Sequence, residues 1–205
     1  MEKFISHTGI GAPLRVTDVD TDQIFPARFC EGTGKDGLGD ALFADWRANP
    51  DFVLSRPEYR GASVIVAGED FGTGSSREWA VWALQGYGIR VIIAPRFGDI
   101  FRGNSLQNGL LTIEQPQHVI DQIWRSLETH PHEEITVDLA QLEIRVDGAT
   151  YEFVLDGHTR WRLLNGLDDI VLTLEHVDLI NSYESHRRST LPTAWRVPAP
   201  GADRG

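Results

Sequence analysis

The stretch SVIVAGEDFGTGSSREWAVWALQGYGIRVIIA, Ser63 to Ala94, decides the fold. Ser63–Ala67 is a short, β-branched apolar run, which reads as a buried strand. A glycine-rich turn follows. Ala80, Val81, Ala83 and Leu84 then recur at helical spacing, which predicts a helix over Ser75–Leu84 with Gly86 and Gly88 as stop signals. Ile89–Ala94 is a second buried strand, halted by Pro95. Strand, helix and strand within about thirty residues make a βαβ unit, hence two parallel strands with a right-handed crossover.

Working outward, Pro116–Thr129 places Val119, Ile120, Ile123, Trp124 and Leu127 on one side of a helix. Ile135–Leu139, Leu142–Val146 and Tyr151–Leu155 alternate and are divided by turn signals such as Asp147-Gly148, which predicts an antiparallel meander. His158–Asn165 and Asp169–His186 read as helices. The proline-rich end, with Pro192, Pro198 and Pro200, reads as a flexible tail over residues 190–205, beyond a single domain at 1–189. The glycine-rich segment Phe29–Gly39 reads as a functional loop.

The 205 residues include 41% hydrophobic and 24% charged residues, ordinary for a soluble globular chain. A net charge of −11 argues against nucleic acid, whose phosphates need Lys and Arg. No apolar run is long enough to cross a membrane. The opening residues lack a secretory signal pattern, so a cytoplasmic location is expected. The acidic balance also repels small anions at long range, so any anionic substrate must be held by a few local cations and backbone N–H groups. Cys30 is the only cysteine. Alone it can form no intrachain disulfide and no four-thiolate iron–sulfur site. The seven histidines are scattered, and the pair His130 and His132 reads as a polar helix end. No metal site is expected in this chain.

The turn Gly72-Thr-Gly-Ser-Ser-Arg-Glu78 admits several chemistries. A phosphate could use the N–H groups of a helix start. A P-loop, however, wants Lys before its hydroxyl residue, and the dinucleotide fingerprint wants glycine where Arg77 stands. A nucleophile elbow wants a glycine that does not follow Ser75–Ser76. A carboxylate suits the segment better: Arg77 can grip it bidentately and Ser76 can donate a hydroxyl. At about 4 Å and an effective dielectric of about 20, that ion pair is worth about 4 kcal/mol. The plainest alternative is helix capping by Ser75 or Ser76, with Glu78 completing a capping box.

These residues, with YGIRVIIAPRFGDIFRGNSLQNGLL downstream and HTGIGAPLRVTDVDTDQIFPARF upstream, resemble the small subunits of isopropylmalate dehydratases, the swivelling domain of the aconitase superfamily. The likeness runs from Met1 to about Tyr183 and implies an α/β, three-layer β/β/α swivelling domain, with a parallel central sheet and a second antiparallel sheet. It implies a hydro-lyase that moves a hydroxyl between adjacent carbons of a substituted malate, isopropylmalate in leucine biosynthesis. By this resemblance Ser75 is the general base. Gly74, Ser76 and Arg77 hold a substrate carboxylate, Asp22 supports catalysis and Arg28 is a further carboxylate ligand. Thr33 and Lys35, in the loop thought to sense the substituent, are substrate-binding candidates.

The resemblance also implies a [4Fe–4S] cluster, which this chain cannot ligate. It is therefore expected on a large subunit that shares the active site, and the isolated small subunit is expected to be inert, with self-association an open option. Three departures stand out: Thr73 where cysteine is frequent, Trp79 where histidine is usual, and a loop over Cys30–Leu38 without the arginine common in isopropylmalate enzymes. Trp79 is expected to pack outward or against a subunit, and Cys30 to be a half-buried apolar residue. The sequence is also compatible with two other functions: a paralogue acting on citraconate or dimethylmalate, and a non-catalytic carboxylate-binding regulatory module.

Overall fold

The computed structural model describes residues 1–30, 34, 37–74 and 76–187. Thr33, Lys35, Ser75 and the tail over 190–205 lie outside the described residues. The chain divides into two compact units, Met1–Asp168 and Asp169–Gly205.

In the first unit, β1 (Ser6–Leu14), β2 (Val64–Ala67), β3 (Val91–Ala94), β4 (Leu111–Glu114), β5 (Glu134–Asp138), β6 (Glu143–Val146) and β7 (Ala149–Glu152) are described. They form one sheet in the order β4-β3-β2-β1-β5-β6-β7. Strands β1 to β4 pair in parallel, while β5, β6 and β7 continue antiparallel. The expected parallel and antiparallel sheets are thus both there, joined through β1. Its second half, Gly11 to Leu14, registers on Val64 to Ala67, and its first half, Ser6 to Ile10, registers on Asp138 to Glu134.

The strands alternate their side chains between two faces. Val64, Val66, Val91 and Ile93 point into a core with Val119, Ile120, Ile123, Trp124 and Leu127 of helix Gln117–Thr129 and with Ile135, Val137, Ile144 and Val146 of the antiparallel strands. Ile65, Ala67, Ile92 and Ala94 point the other way, onto Ala80, Val81, Ala83 and Leu84 of helix Trp79–Tyr87 and onto Leu42, Phe43 and Phe71. A sheet apolar on both faces must be covered on both, which gives the layering. The sheet curls. Buried Gln115, just past β4, donates its Nε2 to the carbonyl of Glu152 on β7 at 2.7 Å, so the two outer strands of the order are bridged by a side chain.

In chain order the α-helices are α1 (Thr21–Ile24), α2 (Ala44–Arg47), α3 (Trp79–Tyr87), α4 (Asp99–Asn108), α5 (Gln117–Thr129), α6 (Gly157–Asn165), α7 (Asp169–Leu174) and α8 (Val177–His186). Strands β1 and β4 and helix α4 carry no clear period in the sequence. In β1 the run SHTGIGAPL mixes polar residues, two glycines and a proline, and its two halves answer to different partners, one parallel and one antiparallel. Helix α3 starts later than expected, at Trp79, after a turn in which Gly72 and Gly74 hold positive φ.

In the second unit the single helix expected over Asp169–His186 is two helices, α7 and α8. Thr173 turns its hydroxyl back onto the Asp169 carbonyl at 2.7 Å, a bond that bends helices.

Candidate active site

The loops that leave the carboxyl ends of β1, β2 and β3 converge, which is where open parallel sheets place ligands. Backbone bonds sew them together. Thr21 N–H donates to Thr73 at 2.9 Å, Gly72 N–H to Val19 at 2.7 Å and Gly98 N–H to Phe71 at 3.0 Å. Asp20 caps α1 by accepting from Gln23 N–H, while the Gln23 side chain accepts from Asp20 N–H, so both orphan donors are met. Gly72 sits at φ +80° and a Cβ there would lie 2.2 Å from Phe101 Cγ, so only glycine fits. Gly74, at φ +98°, continues the turn close to Thr21.

This corner brings Arg77 against Asp22. The Arg77 Nη2 donates to Asp22 Oδ1 at 3.1 Å, and its Nη1 lies 3.7 Å from Cys30 Sγ. Both charged side chains are about half exposed, at 44% and 61%. Together with Phe25 and Trp79 they line a crevice of about 10 Å³, roughly one water-sized probe. Trp79 does not pack outward. It stacks on buried Phe25 at 6.0 Å with the rings 9° apart, and meets Trp82 edge-on at 5.6 Å. Offset aromatic pairs of this kind fix orientation as well as burying area. Cys30 is half-buried against the core, as expected.

Ser76 is exposed, and its backbone carbonyl accepts from Asn104 Nδ2 at 3.1 Å. The N-cap of α3 is Glu78, with no side-chain cap bond, so the capping-box reading is not realised. Arg28 forms a bidentate pair with Asp45 of α2, at 2.5 and 3.1 Å. The hydrogen bond from Arg28 holds the Asp45 carboxyl below the usual carboxylate range, and the same bond raises Arg28. Ser75, Thr33 and Lys35 fall on positions outside the described residues. Among the described residues no group of three His, Cys, Asp or Glu side chains converges as metal ligands, and no helix is long and apolar enough to cross a membrane.

Two residues of this neighbourhood went unnoticed in the sequence. Asn104 holds the turn through Ser76, and its own carbonyl accepts from Asn108 Nδ2 at 2.9 Å. Asn108 in turn accepts from Trp82 Nε1 at 3.2 Å, and its carbonyl from Gln85 Nε2 at 2.7 Å, tying α4 to α3. The signal was the spacing: two asparagines four apart lie on one helix face. Asp45, which holds Arg28, had no such signal.

Residues 1–118 match the aconitase C-terminal domain family, so the fold and its loop corner define a swivelling domain of the aconitase type. The chain is 56% identical over 192 residues to a protein of Thermobifida fusca named 3-isopropylmalate dehydratase small subunit, covering 94% of this chain and 98% of that relative. It is 56% identical over 202 residues to the Kineococcus radiotolerans protein of the same name, covering 98% and 100%. The crystal structure of the Methanocaldococcus jannaschii 3-isopropylmalate dehydratase superposes with a TM-score of 0.65 at 28% identity, over 88% of this chain and 99% of that one. The chain belongs to the family of 3-isopropylmalate dehydratase small subunits.

Proposed function

We propose that this chain is the small subunit of a two-subunit hydro-lyase that interconverts 2-isopropylmalate and 3-isopropylmalate by dehydration and rehydration, in the cytoplasm. The observation that carries the site is the Arg77–Asp22 corner, set where the loops from three parallel strands meet. In this reading Arg77 and Ser76 take a substrate carboxylate, with Arg28 and the loop residues Thr33 and Lys35 closing over the remainder. Arg77 then exchanges Asp22 for the substrate carboxylate, leaving Asp22 as a neighbouring acceptor.

Ser75 removes the proton from the carbon beside the carboxylate. The electron pair of that C–H bond becomes the new C=C bond as the neighbouring C–O bond breaks and the hydroxyl leaves with its bonding pair as hydroxide; that hydroxide and the proton taken by Ser75 together make up the water lost. Readdition of water in the opposite sense gives the isomer. A serine oxygen is a strong enough base only where its anion is stabilised, and Arg77, the turn's N–H groups and exclusion of water are the means at hand. The departing hydroxyl needs a Lewis acid, which an iron–sulfur cluster supplies. One cysteine cannot ligate such a cluster, so the cluster and the rest of the site are assigned to a large subunit.

The test is reconstitution with the large subunit, followed by turnover on isopropylmalate, citraconate and dimethylmalate. Preference for isopropylmalate is expected, and a much faster reaction with either of the others would overturn the substrate assignment. Ser75→Ala should lower kcat by about 10²-fold to 10⁴-fold while subunit association is kept. Unchanged turnover refutes its role as base.

A further inference from the structure

A cavity of about 460 Å³ lies away from the lining of the Arg77 crevice. It opens between α2, the turns over residues 53–60 and the end of α3, and three guanidinium groups line it: Arg47, Arg56 and Arg60. We propose that this cavity is a second binding site, for a small multivalent anion carrying phosphate or carboxylate groups.

The charge balance is the first reason. The chain as a whole carries −11, yet these three arginines face one carboxylate on the wall, Asp40. Arg56 has Glu58 at 3.8 Å, beyond hydrogen-bond range, and its guanidinium lies 5.3 Å from the Tyr59 ring. Arg60 has no ion pair or side-chain hydrogen bond among the described residues. Arg47 is held in place: its guanidinium lies 5.0 Å from the Tyr87 ring, and among the described residues only Nη1 is used, in long bonds of 3.2 to 3.4 Å to the carbonyls of Gly39, Asp40 and Leu42. Its remaining N–H donors are left for a ligand, since a guanidinium offers five.

Planar, weakly hydrated guanidiniums are the groups suited to bidentate capture of phosphate and carboxylate. The volume lies within the range of small-molecule sites. Like charges gathered in one concavity repel each other, and an anion relieves that repulsion.

The site also has a physical line to the proposed active site. Helix α2 carries Arg47 into the cavity and Asp45, two residues before it, onto Arg28. The carbonyls that Arg47 holds belong to the turn that ends the loop Phe29–Gly39.

Calorimetric titration of the full chain with inorganic pyrophosphate, and separately with citrate, at one ionic strength tests this. One site of submillimolar affinity is expected. Arg60→Gln and Arg56→Gln should each weaken it about tenfold or more, and Arg77→Ala should leave it unchanged. Tighter binding of pyrophosphate identifies a phosphoryl ligand and tighter binding of citrate a carboxylate one. Circular dichroism of each variant verifies that it is folded. Absence of binding at several millimolar, equal affinity in folded Arg60→Gln and Arg56→Gln, or loss only on Arg77→Ala overturns the proposal.

Discussion

His7 sits where β1 leaves β2, its Nε2 2.7 Å from the hydroxyl of Ser63. Burial and the nearby Arg90 guanidinium both push the imidazole below its ordinary 6.5; Arg90 itself is paired to Glu2 at 2.9 Å. The Phe4 ring, 6.4 Å away, offers no charge to the imidazole. The fold therefore prefers neutral His7. Below pH 6.5 the unfolded chain binds a proton that the folded one resists, so the contribution is complete above 6.5 and is lost as pH falls through the lower folded value. Urea titrations at pH 8, 7, 6 and 5 should show this loss, and His7→Gln, which keeps a hydrogen-bonding partner for Ser63, should flatten the acid limb relative to the parent. A parent and variant with the same pH profile would refute the assignment.

Among the elements, α4 acts on the turn before α3 without facing it through catalytic chemistry. Asn104→Ala frees the Ser76 carbonyl and with it the turn that carries Ser75 and Arg77. Misplacement of reacting groups by a fraction of an ångström is costly, so kcat should fall by about tenfold to a hundredfold with KM little changed. A purely structural role would instead lower the unfolding midpoint and leave kcat of the folded enzyme alone. The spacing of Asn104 and Asn108 marks a helix face, but the Ser76 carbonyl that Asn104 holds, 28 residues away, leaves no local period. What was legible followed from local rules: the βαβ unit from two apolar runs, α5 from its five-residue apolar stripe, the meander from alternation and Asp147-Gly148. The glycines and Arg77 stand out in the sequence as a candidate site because no apolar period accounts for them. Strand β1 was not, since its pairing on both sides is set by residues more than fifty positions away. The start of α3 was misplaced because positive φ at Gly72 and Gly74 delays the helix, which composition alone does not reveal.

Across the molecule, Gln115 holds the curl of the sheet. With 5% of its surface exposed, it bonds the Glu152 carbonyl on a strand that is otherwise an open edge. Gln115→Ala leaves that carbonyl without its partner and should cost about 1–3 kcal/mol, seen as a lower denaturation midpoint at constant slope. Amide exchange in β7 should quicken more than in β2 or β3. Equal acceleration across all strands would mean that the bond does not hold the edge. Strand β1 has a different consequence. Its two halves answer to partners ending at Ala67 and Asp138, so during synthesis β1 waits, half-satisfied, until β5 has followed it. Such distant pairing slows the search for the native state. It also makes the nascent protein most vulnerable to chaperone capture and aggregation just before that last partner emerges.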